Sequence, residues 1–448
     1  PEWGAGRSFV LWLRRATALT GCVLFMTAAL PVATAQAPAG ESPGPSPDVC
    51  AGCARQVRVP LDHDQPRGPQ GTLDYELGAP FDPAKPTVLV VADGQQFYVR
   101  HGRMATVQED FGAAFNVVGL FGRGATPQFL DAAVGPDGAT DWERAWRLFR
   151  SAQWIDDLEA VRVDLLGKNG RVLLYGASGG GLLVQEYLAR HPEHIVRAFT
   201  ACAVNPYDEG RLGFLSDRFW DEIGAQDPGL HAALQRALER HRADRAMVIM
   251  TLQRQNFFVP PDRLAEARAT LISALDAGDD EAYAAARRDY QVEAVSGFFD
   301  SKEGIPTRVR LYELFQPSGS EGALADRTRV CPDLENQRNF AAPLLELLRA
   351  GKIPPPRLDF EALHRVSAEV MVLSGRLDHT VDYRAAIALA AAYPRGMLFL
   401  ADDDHMFARM KEDHSRDRLM QAFLLHGPGS APFRAALEAA SAHRWTER

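Results

Sequence analysis

The chain of 448 residues lacks the marks of several large functional classes. Its formal net charge is -9 and no basic stripe runs along it, which argues against a nucleic-acid partner. The Gly-Lys-Ser or Gly-Lys-Thr ending of a Walker loop is absent, and the glycine-rich turn at residues 176–181 does not spell the G-x-G-x-x-G dinucleotide fingerprint. We therefore expect no nucleic acid and no nucleotide cofactor, and a small neutral or cationic substrate is easier to accommodate.

Charge is also missing near the start of the chain. Arginines precede residues 16–40, which carry no charged side chain and whose apolar part ends near Pro31. That part is shorter than the roughly 20 residues that span a bilayer, so the pattern predicts an export signal over residues 1–37, cleaved after Ala37, and no membrane span in the mature protein. We thus expect a secreted or periplasmic protein, and a lipid anchor at Cys22 is the minority interpretation.

Cysteine is scarce, with five residues in all and four once the signal is removed. An even number in an exported protein favours disulfides, and pairing of Cys50 with Cys53 and of Cys202 with Cys331 is plausible, although sequence does not fix the connectivity. A redox or zinc motif at Cys50 would need a second C-x-x-C or a pair of histidines, and neither accompanies it. We therefore expect no metal.

Composition divides the remainder, which is 46% hydrophobic and 24% charged over the whole chain, into a linker and an interrupted globular core. Residues 38–54 begin with a stretch rich in Pro, Gly and Ser and are predicted to be the linker. Residues 55–206 and 365–448 alternate apolar strand patterns with helical ones. Residues 207–364 are charged, rich in alanine and mostly helical in period, which predicts an inserted helical cap. No internal repeat is apparent.

Alternation of strand and helix predicts a doubly wound, mostly parallel sheet with sites at the carboxyl ends of its strands. An antiparallel hairpin is predicted from residues 56–59 and 72–77. The other predicted strands are residues 87–92, 114–120, 172–175, 195–202, 369–374 and 397–401. The predicted helices are residues 155–166, 182–190, 383–392 and 416–425, with 261–275 and 280–296 in the cap.

One stretch, residues 171–191, reads as strand, sharp turn and helix with Ser178 at the corner. Gly176 and Gly180 flank the serine at two positions on either side and let strand and helix approach closely. This is the pattern of a nucleophile elbow, in which the hydroxyl is exposed and the backbone N–H of Gly179 lies at a helix start, able to stabilise an oxyanion.

A serine nucleophile needs a base and an acid that orients the base, in the chain order serine, carboxylate, histidine on a sheet of this kind. Asp378 follows the apolar strand at 369–374 and a Gly turn, and His405 follows the next strand. We therefore predict Asp378 as the acid and His405 as the base. Asp382 is a rival acid, and His379 and His414 are rival bases.

Two further expectations concern the surroundings of these residues. Asp402, Asp403 and Asp404, which precede the histidine, are expected to form a solvated turn rather than a set of metal ligands. The second oxyanion donor is expected from the loop after the strand at 87–92, at the backbone N–H of Gln95.

Together these motifs resemble the α/β-hydrolase superfamily, and within it secreted serine aminopeptidases of the prolyl and tripeptidyl type. The resemblance is carried by residues 59–63 (VPLDH), 157–162 (DLEAVR), 176–180 (GASGG), 187 and 191–193 (Y, HPE), 375–378 (GRLD) and 405 (H). The pattern departs from these peptidases in the loop that begins at Asp93, which replaces His-Gly-Gly-Pro-Gly, at Phe121, which replaces an acidic residue, and at Gly179, where an aromatic or small polar residue is frequent.

The resemblance implies hydrolysis of short peptides from a free amino terminus, with cap carboxylates binding the amine and no cofactor. Candidate carboxylates are Glu293, Asp300 and Glu303, which otherwise form a solvated helix face. Hydrolysis of small carboxylic esters and a non-catalytic binding role on a hydrolase scaffold remain the alternatives.

Overall fold

Eight strands form the sheet that organises the computed structural model, which describes residues 49–93, 99, 101–211, 219–315, 330, 335 and 338–446. The strands are β1 (Ala54–Pro60), β2 (Gln70–Leu77), β3 (Thr87–Val91), β4 (Asn116–Leu120), β5 (Val172–Ala177), β6 (Ile195–Ala201), β7 (Glu369–Gly375) and β8 (Gly396–Ala401). Their order in the sheet is β1-β2-β4-β3-β5-β6-β7-β8.

The sheet is antiparallel at one edge and parallel elsewhere. β1 pairs with β2 as the predicted hairpin, with Arg58 opposite Thr72, and β2 pairs antiparallel with β4. All other pairs are parallel, from β4–β3 through to β7–β8. The predicted mostly parallel sheet is confirmed, and the carboxyl ends of β3, β5, β6, β7 and β8 share one edge.

Helices cover both faces of the sheet and fill the insertion. Those before the insertion are α1 (Met104–Phe111), α2 (Pro127–Ala132), α3 (Trp142–Phe149), α4 (Ser151–Leu166) and α5 (Gly179–Arg190). Those of the insertion are α6 (Pro206–Arg211), α7 (Phe219–Gln226), α8 (Pro228–Arg240), α9 (Arg245–Phe258), α10 (Pro261–Ala277), α11 (Asp280–Asp289), α12 (Val292–Asp300), α13 (Ile305–Phe315), α14 (Ala342–Arg349) and α15 (Phe360–Leu363). The last are α16 (Tyr383–Ala392), α17 (Ala408–Glu412), α18 (Ser415–His426) and α19 (Ala431–Ala439).

Successive side chains of a strand point to opposite faces of the sheet, and helices cover both faces. The side chains of a central apolar strand are therefore buried on both sides. In β5, Val172 and Leu174 belong to the cluster that packs against α3, α4 and α5. Leu173 and Tyr175 belong to the opposite cluster, which includes side chains of α1, α18 and α19. Continuous apolar runs in the sequence are therefore the signature of central strands in a sheet covered on both sides.

In the described part of the insertion between β6 and β7 the regular elements are all helices, as predicted, and α8, α9 and α10 contribute a hydrophobic cluster of their own. The single helix expected over residues 280–296 is wrong, because two helices, α11 and α12, occupy this segment. Gln291 adopts a left-handed conformation with φ 55° and interrupts the helix. Tyr290 beside it packs its ring against Phe258 at 5.7 Å between centroids.

Cysteines and apolar helices bear on the export prediction. Cys50 and Cys53 form a disulfide just before β1. Cys202 is a free, buried thiol, whereas Cys331 lies outside the described residues, as does the predicted signal segment. Among the helices that the structure describes, none is long and apolar enough to cross a membrane.

Candidate active site

The turn between β5 and α5 presents Ser178 in strained backbone. Ser178 has φ 52° and ψ -125°, a conformation that residues with a Cβ rarely adopt, and it immediately precedes the first helical residue. A Cβ at Gly176 would lie 2.5 Å from the carbonyl oxygen of Gly180, so the close approach of strand and helix requires glycine there. The serine itself is only half-buried, as expected for the corner of a nucleophile elbow.

Hydrogen bonds fix the backbone of this corner to the segment after β6. The N–H of Ser178 donates to the carbonyl oxygen of Ala201 at 2.9 Å, and the N–H of Val204 donates to the carbonyl oxygen of Ser178 at 3.1 Å. The hydroxyl is thus held at the carboxyl edge of the sheet, where β5 and β6 end side by side.

Asp378 and His405 meet at the same edge, after β7 and β8. Nδ1 of His405 donates to Oδ2 of Asp378 at 2.8 Å, with both side chains almost fully buried. Oδ1 of the carboxylate accepts the backbone N–H of Thr380 at 2.7 Å and of Val381 at 2.9 Å. Burial opposes ionisation, but the charge and hydrogen bond of His405 and the N–H of Val381 outweigh it, so the pKa of Asp378 lies below its ordinary value.

The rival residues have other partners. Asp382 caps α16 by accepting the N–H of Arg384 at 2.9 Å, and it pairs with the guanidinium of the same arginine. His379 lies with Nε2 3.7 Å from Oε2 of Glu222 on α7. The structure therefore brings together Asp378 and His405, as the strand positions predicted.

The three aspartates before the histidine are not the solvated turn that the sequence suggested. Asp403 is fully buried and accepts backbone N–H groups, among them that of Met410 at 2.9 Å. Asp404 is also buried and accepts the N–H of Met406 at 2.9 Å, and its burial and the charge of Asp403 raise its pKa to about 6. Asp402 instead faces arginine side chains in a half-buried position. The role of these three aspartates is therefore structural: their hydrogen bonds and ion pairs stabilise the loop that carries His405.

The oxyanion side of the site contains an unpredicted carboxylate. Asp93, the residue that ends the described part of the chain after β3, is 1% exposed. A Cβ at Gly179 would overlap its Oδ2 and lie 2.7 Å from its Cγ. Gly179 and Asp93 both depart from the peptidase pattern, and the position of Asp93 requires glycine at residue 179. The predicted donor Gln95 lies outside the described residues.

Buried charges join the cap to the core beside this aspartate. Glu313 on α13 accepts the N–H of Ser151 at 2.9 Å and its hydroxyl at 3.1 Å at the start of α4. Arg310 is fully buried, pairs with Glu313 and interacts electrostatically with Asp93 and Glu186. Burial raises the pKa of Glu186 to about 7. Sequence reasoning missed this cluster because its members come from four distant segments.

One aromatic residue of the cap packs against the imidazole of His405. The ring of Phe257, at the end of α9, contacts the ring of His405 edge to face, with 5.8 Å between centroids. By contrast, the predicted amine-binding residues Glu293, Asp300 and Glu303 are all exposed. The first of them pairs with Arg287 at 2.6 Å.

Two of the motifs that carried the sequence resemblance, residues 59–63 and 157–162, meet at Arg123 in one buried network. Arg123 donates to both oxygens of Asp157, at 2.6 and 2.9 Å, and Nε2 of His63 lies 2.7 Å from the same carboxylate. Arg123 also donates to the carbonyl oxygens of Leu148 at 3.2 Å and Pro60 at 3.1 Å. The network joins β1, α4 and the loop after β4, which makes it a structural element of the fold.

Two groups of side chains in the described part of the chain have the composition of a metal site. One is Cys202 with Asp378 and His405, and the other is Glu159 with His191 and His194. Both carboxylate oxygens of Glu159 are already bound, by the guanidinium of Arg162 at 2.6 and 2.9 Å and by the hydroxyl of Tyr187 at 2.7 Å. Because both oxygens of Glu159 already have these partners, we interpret the second group as part of a structural ion pair.

Comparison with known families identifies the family of the chain. The sequence pattern of the alpha/beta hydrolase fold matches residues 135–408, more than half of the chain. The chain belongs to this family. The matched segment of the hydrolase contains the elbow serine, Asp378 and His405, so the family's sequence pattern covers every residue of the predicted triad.

Solved structures similar to the hydrolase include three enzymes from bacteria. They are the esterase RhEst1 from Rhodococcus sp. ECU1013 (16% identity over 83% of this chain and 99% of that chain, TM-score 0.42), a thermophilic esterase from Thermogutta terrifontis (14%, 83% and 99%, TM-score 0.38) and a bromoperoxidase from Bacillus anthracis (16%, 82% and 98%, TM-score 0.39). At such identities the similarity concerns the fold alone. No curated protein matches the chain.

Proposed function

We propose that this hydrolase cleaves a carboxylic ester or amide bond through an acyl-enzyme on Ser178. The hydroxyl attacks the carbonyl carbon while Nε2 of His405 takes its proton, and Asp378 stabilises the imidazolium that forms. The N–H of Gly179 donates to the oxyanion, and His405 then protonates the leaving group. Water repeats the attack on the acyl-enzyme, which releases the acid and restores the serine.

The observation that carries this proposal is the buried bond of 2.8 Å between Nδ1 of His405 and Asp378. With Nδ1–H donated to the carboxylate, the Nε2 lone pair is the basic one, which is the tautomer that a general base requires. The strained backbone of Ser178 supports the same assignment, because strain of this kind persists where it serves function.

The finer proposal is an aminopeptidase-like activity on short peptides, and small carboxylic esters are the alternative substrates. The peptide proposal rests on the motif resemblance around His63, Asp157 and Ser178. The exposed positions of the three candidate cap acids give it no added support, so the amine anchor is left to other residues.

Labelling of the full chain with a fluorophosphonate tests the nucleophile. We expect wild-type protein to be labelled on Ser178 and S178A to be unlabelled and inactive. S430A is the matched control, because Ser430 caps α19 by accepting the N–H of Phe433 and lies in no part of the proposed mechanism. Failure of folded wild-type protein to react would leave only the binding role.

A panel of substrates separates the two enzyme activities. Aminoacyl and peptidyl amides are compared with short acyl esters, each at several concentrations to obtain kcat/KM. For the aminopeptidase activity, acetylation of the substrate's free amine abolishes turnover. Turnover of esters together with indifference to acetylation supports the esterase alternative.

We propose in addition that the protein is exported. The disulfide between Cys50 and Cys53 supports this, because such bonds persist in oxidising compartments. Mass spectrometry of protein from a host that secretes it is expected to find a mature chain beginning at Pro38. An intact leader on cytoplasmic protein would contradict the proposal.

A further inference from the structure

Residues 201–204, at the end of β6, lie between the proposed nucleophile and the proposed acid. The first and last of them bind the backbone of Ser178, through the carbonyl oxygen of Ala201 at 2.9 Å and the N–H of Val204 at 3.1 Å. Between them, the N–H of Cys202 donates to the carbonyl oxygen of Leu373 on β7 at 2.8 Å. This segment therefore connects the elbow to the strand that leads to Asp378.

The side chain of Cys202 points into the same place. It is 1% exposed, and its Sγ, an oxygen of Asp378 and a ring nitrogen of His405 all lie within 4.8 Å of one another. The thiol thus lies beside the carboxylate, and it is among the neighbours that favour the charged form of Asp378. Burial, followed by the charge of the aspartate, raises the pKa of the thiol well above its ordinary value, so the sulfur keeps its proton and is the donor.

Backbone geometry argues that this contact is more than packing. Cys202 has φ 44°, in the left-handed region that disfavours any residue with a Cβ, and glycine would adopt it freely. A cysteine is retained here at a conformational cost. The side chain kept at this cost is the thiol that lies beside the carboxylate of Asp378.

We propose that Cys202 is a positioning residue of the hydrolytic reaction, whose S–H donates to Asp378 and holds the carboxylate in the orientation that receives Nδ1–H of His405. The inference rests on the proposed function of the triad. Thr380 and Val381 bind Oδ1 from one side through backbone N–H groups, and the thiol adds a donor from the end of β6. The carboxylate is thereby fixed from two strands.

Alanine and serine substitutions separate positioning from packing, because all three residues meet the same backbone strain. C202A removes the donor, and we expect kcat to fall about tenfold with KM within twofold, since a hydrogen bond to a charged group is lost. C202S supplies a hydroxyl donor and is expected to keep kcat within about twofold of wild type. The rate of fluorophosphonate labelling of Ser178 should fall with kcat in C202A, since it depends on the triad and not on substrate binding.

A matched control is T200A, which removes a buried hydroxyl on β6 that donates to the carbonyl oxygen of Met371 at 3.4 Å. Thermal unfolding of all variants is measured in parallel. T200A is expected to lower stability without changing kcat. A pure packing role for Cys202 predicts that C202A and C202S lose activity in proportion to lost stability, and that result would overturn the inference.

The outcomes also separate this inference from the function on which it rests. Wild-type kcat in C202A, with Ser178 still labelled, overturns the role of Cys202 alone. A wild-type protein that neither turns over substrate nor reacts with fluorophosphonate overturns both.

Discussion

Replacement of Gly179 by alanine should disable the oxyanion side of the site through a single methyl group. The new Cβ would overlap Oδ2 of Asp93 and lie 2.7 Å from its Cγ, whereas carbon atoms in contact are ordinarily about 3.5–4.0 Å apart. Because Asp93 is 1% exposed, the carboxylate has no solvent to move into. The backbone N–H of residue 179 and the side chain of Asp93 must therefore separate by roughly 1 Å.

A displacement of that size is large for catalysis. Loss of one oxyanion donor costs about 10²–10³ in kcat, or roughly 3–4 kcal/mol, and a misplacement of about 1 Å costs a comparable factor. We therefore expect kcat of G179A to fall at least about 100-fold on ester or amide substrates, with folding retained by circular dichroism.

G297A is the matched control, because Gly297 lies in α12, is exposed, and a Cβ added there would meet no other atom within 4 Å. Alanine there should leave kcat unchanged and stabilise the protein by about 0.5–1 kcal/mol through helix propensity. The double variant G179A/D93A relieves the overlap and should be no slower than D93A alone, a non-additivity of more than about 1 kcal/mol. Wild-type kcat in G179A would refute the argument.

Three ionic features give further predictions. Burial raises the pKa of Glu186 to about 7, so wild-type stability should fall by about 3 kcal/mol as pH rises from about 4.5 through 7. E186Q should remove this dependence in urea unfolding, and an unchanged pH profile in E186Q would contradict it. Burial disfavours the charge of Glu159, but Arg162 helps to lower its pKa to about 2. The contribution of Glu159 to the free energy of unfolding is therefore present above pH 4.5 and lost as pH falls towards 2. Acid unfolding of E159Q should lack this loss of stability, and equal acid midpoints for both proteins would exclude it. R123K replaces a two-pronged bond to Asp157 by a single one and should cost about 3 kcal/mol, measured by guanidinium unfolding; a loss under about 1 kcal/mol would show that the buried pair is dispensable.

The parts of the fold that sequence predicted are those where local pattern and tertiary environment agree. Central strands such as β5 are buried on both faces and read as continuous apolar runs, and the glycines around Ser178 are required by contacts within one turn. Asp378 follows such a strand, β7, and His405 follows the apolar edge strand β8. Both could be placed because the carboxyl ends of parallel strands meet at one edge of the sheet. Their separation along the chain did not matter once the strand order was known.

Features that depend on distant partners were not predictable in this way. Asp403 and Asp404 look like a solvated turn because nothing local shows that backbone N–H groups of the following helix will satisfy them in the interior. Asp93 and Gly179 are 86 residues apart, and only their contact explains why both depart from the peptidase pattern. The even number of cysteines suggested that Cys202 forms a disulfide, because the sequence does not show where its thiol lies in the fold.

The insertion between β6 and β7 also has a consequence for the order in which the site is made. Ser178 leaves the ribosome 200 residues before Asp378 and 227 before His405, because the whole cap is translated between them. β6 can pair with β7 in parallel only after the whole insertion has been synthesised. Closing a chain segment of this length is slow compared with local helix formation. The nascent chain consequently carries the proposed nucleophile without the proposed base, and we expect hydrolytic activity only once the final strands dock. The appearance of activity during synthesis would then report completion of the sheet.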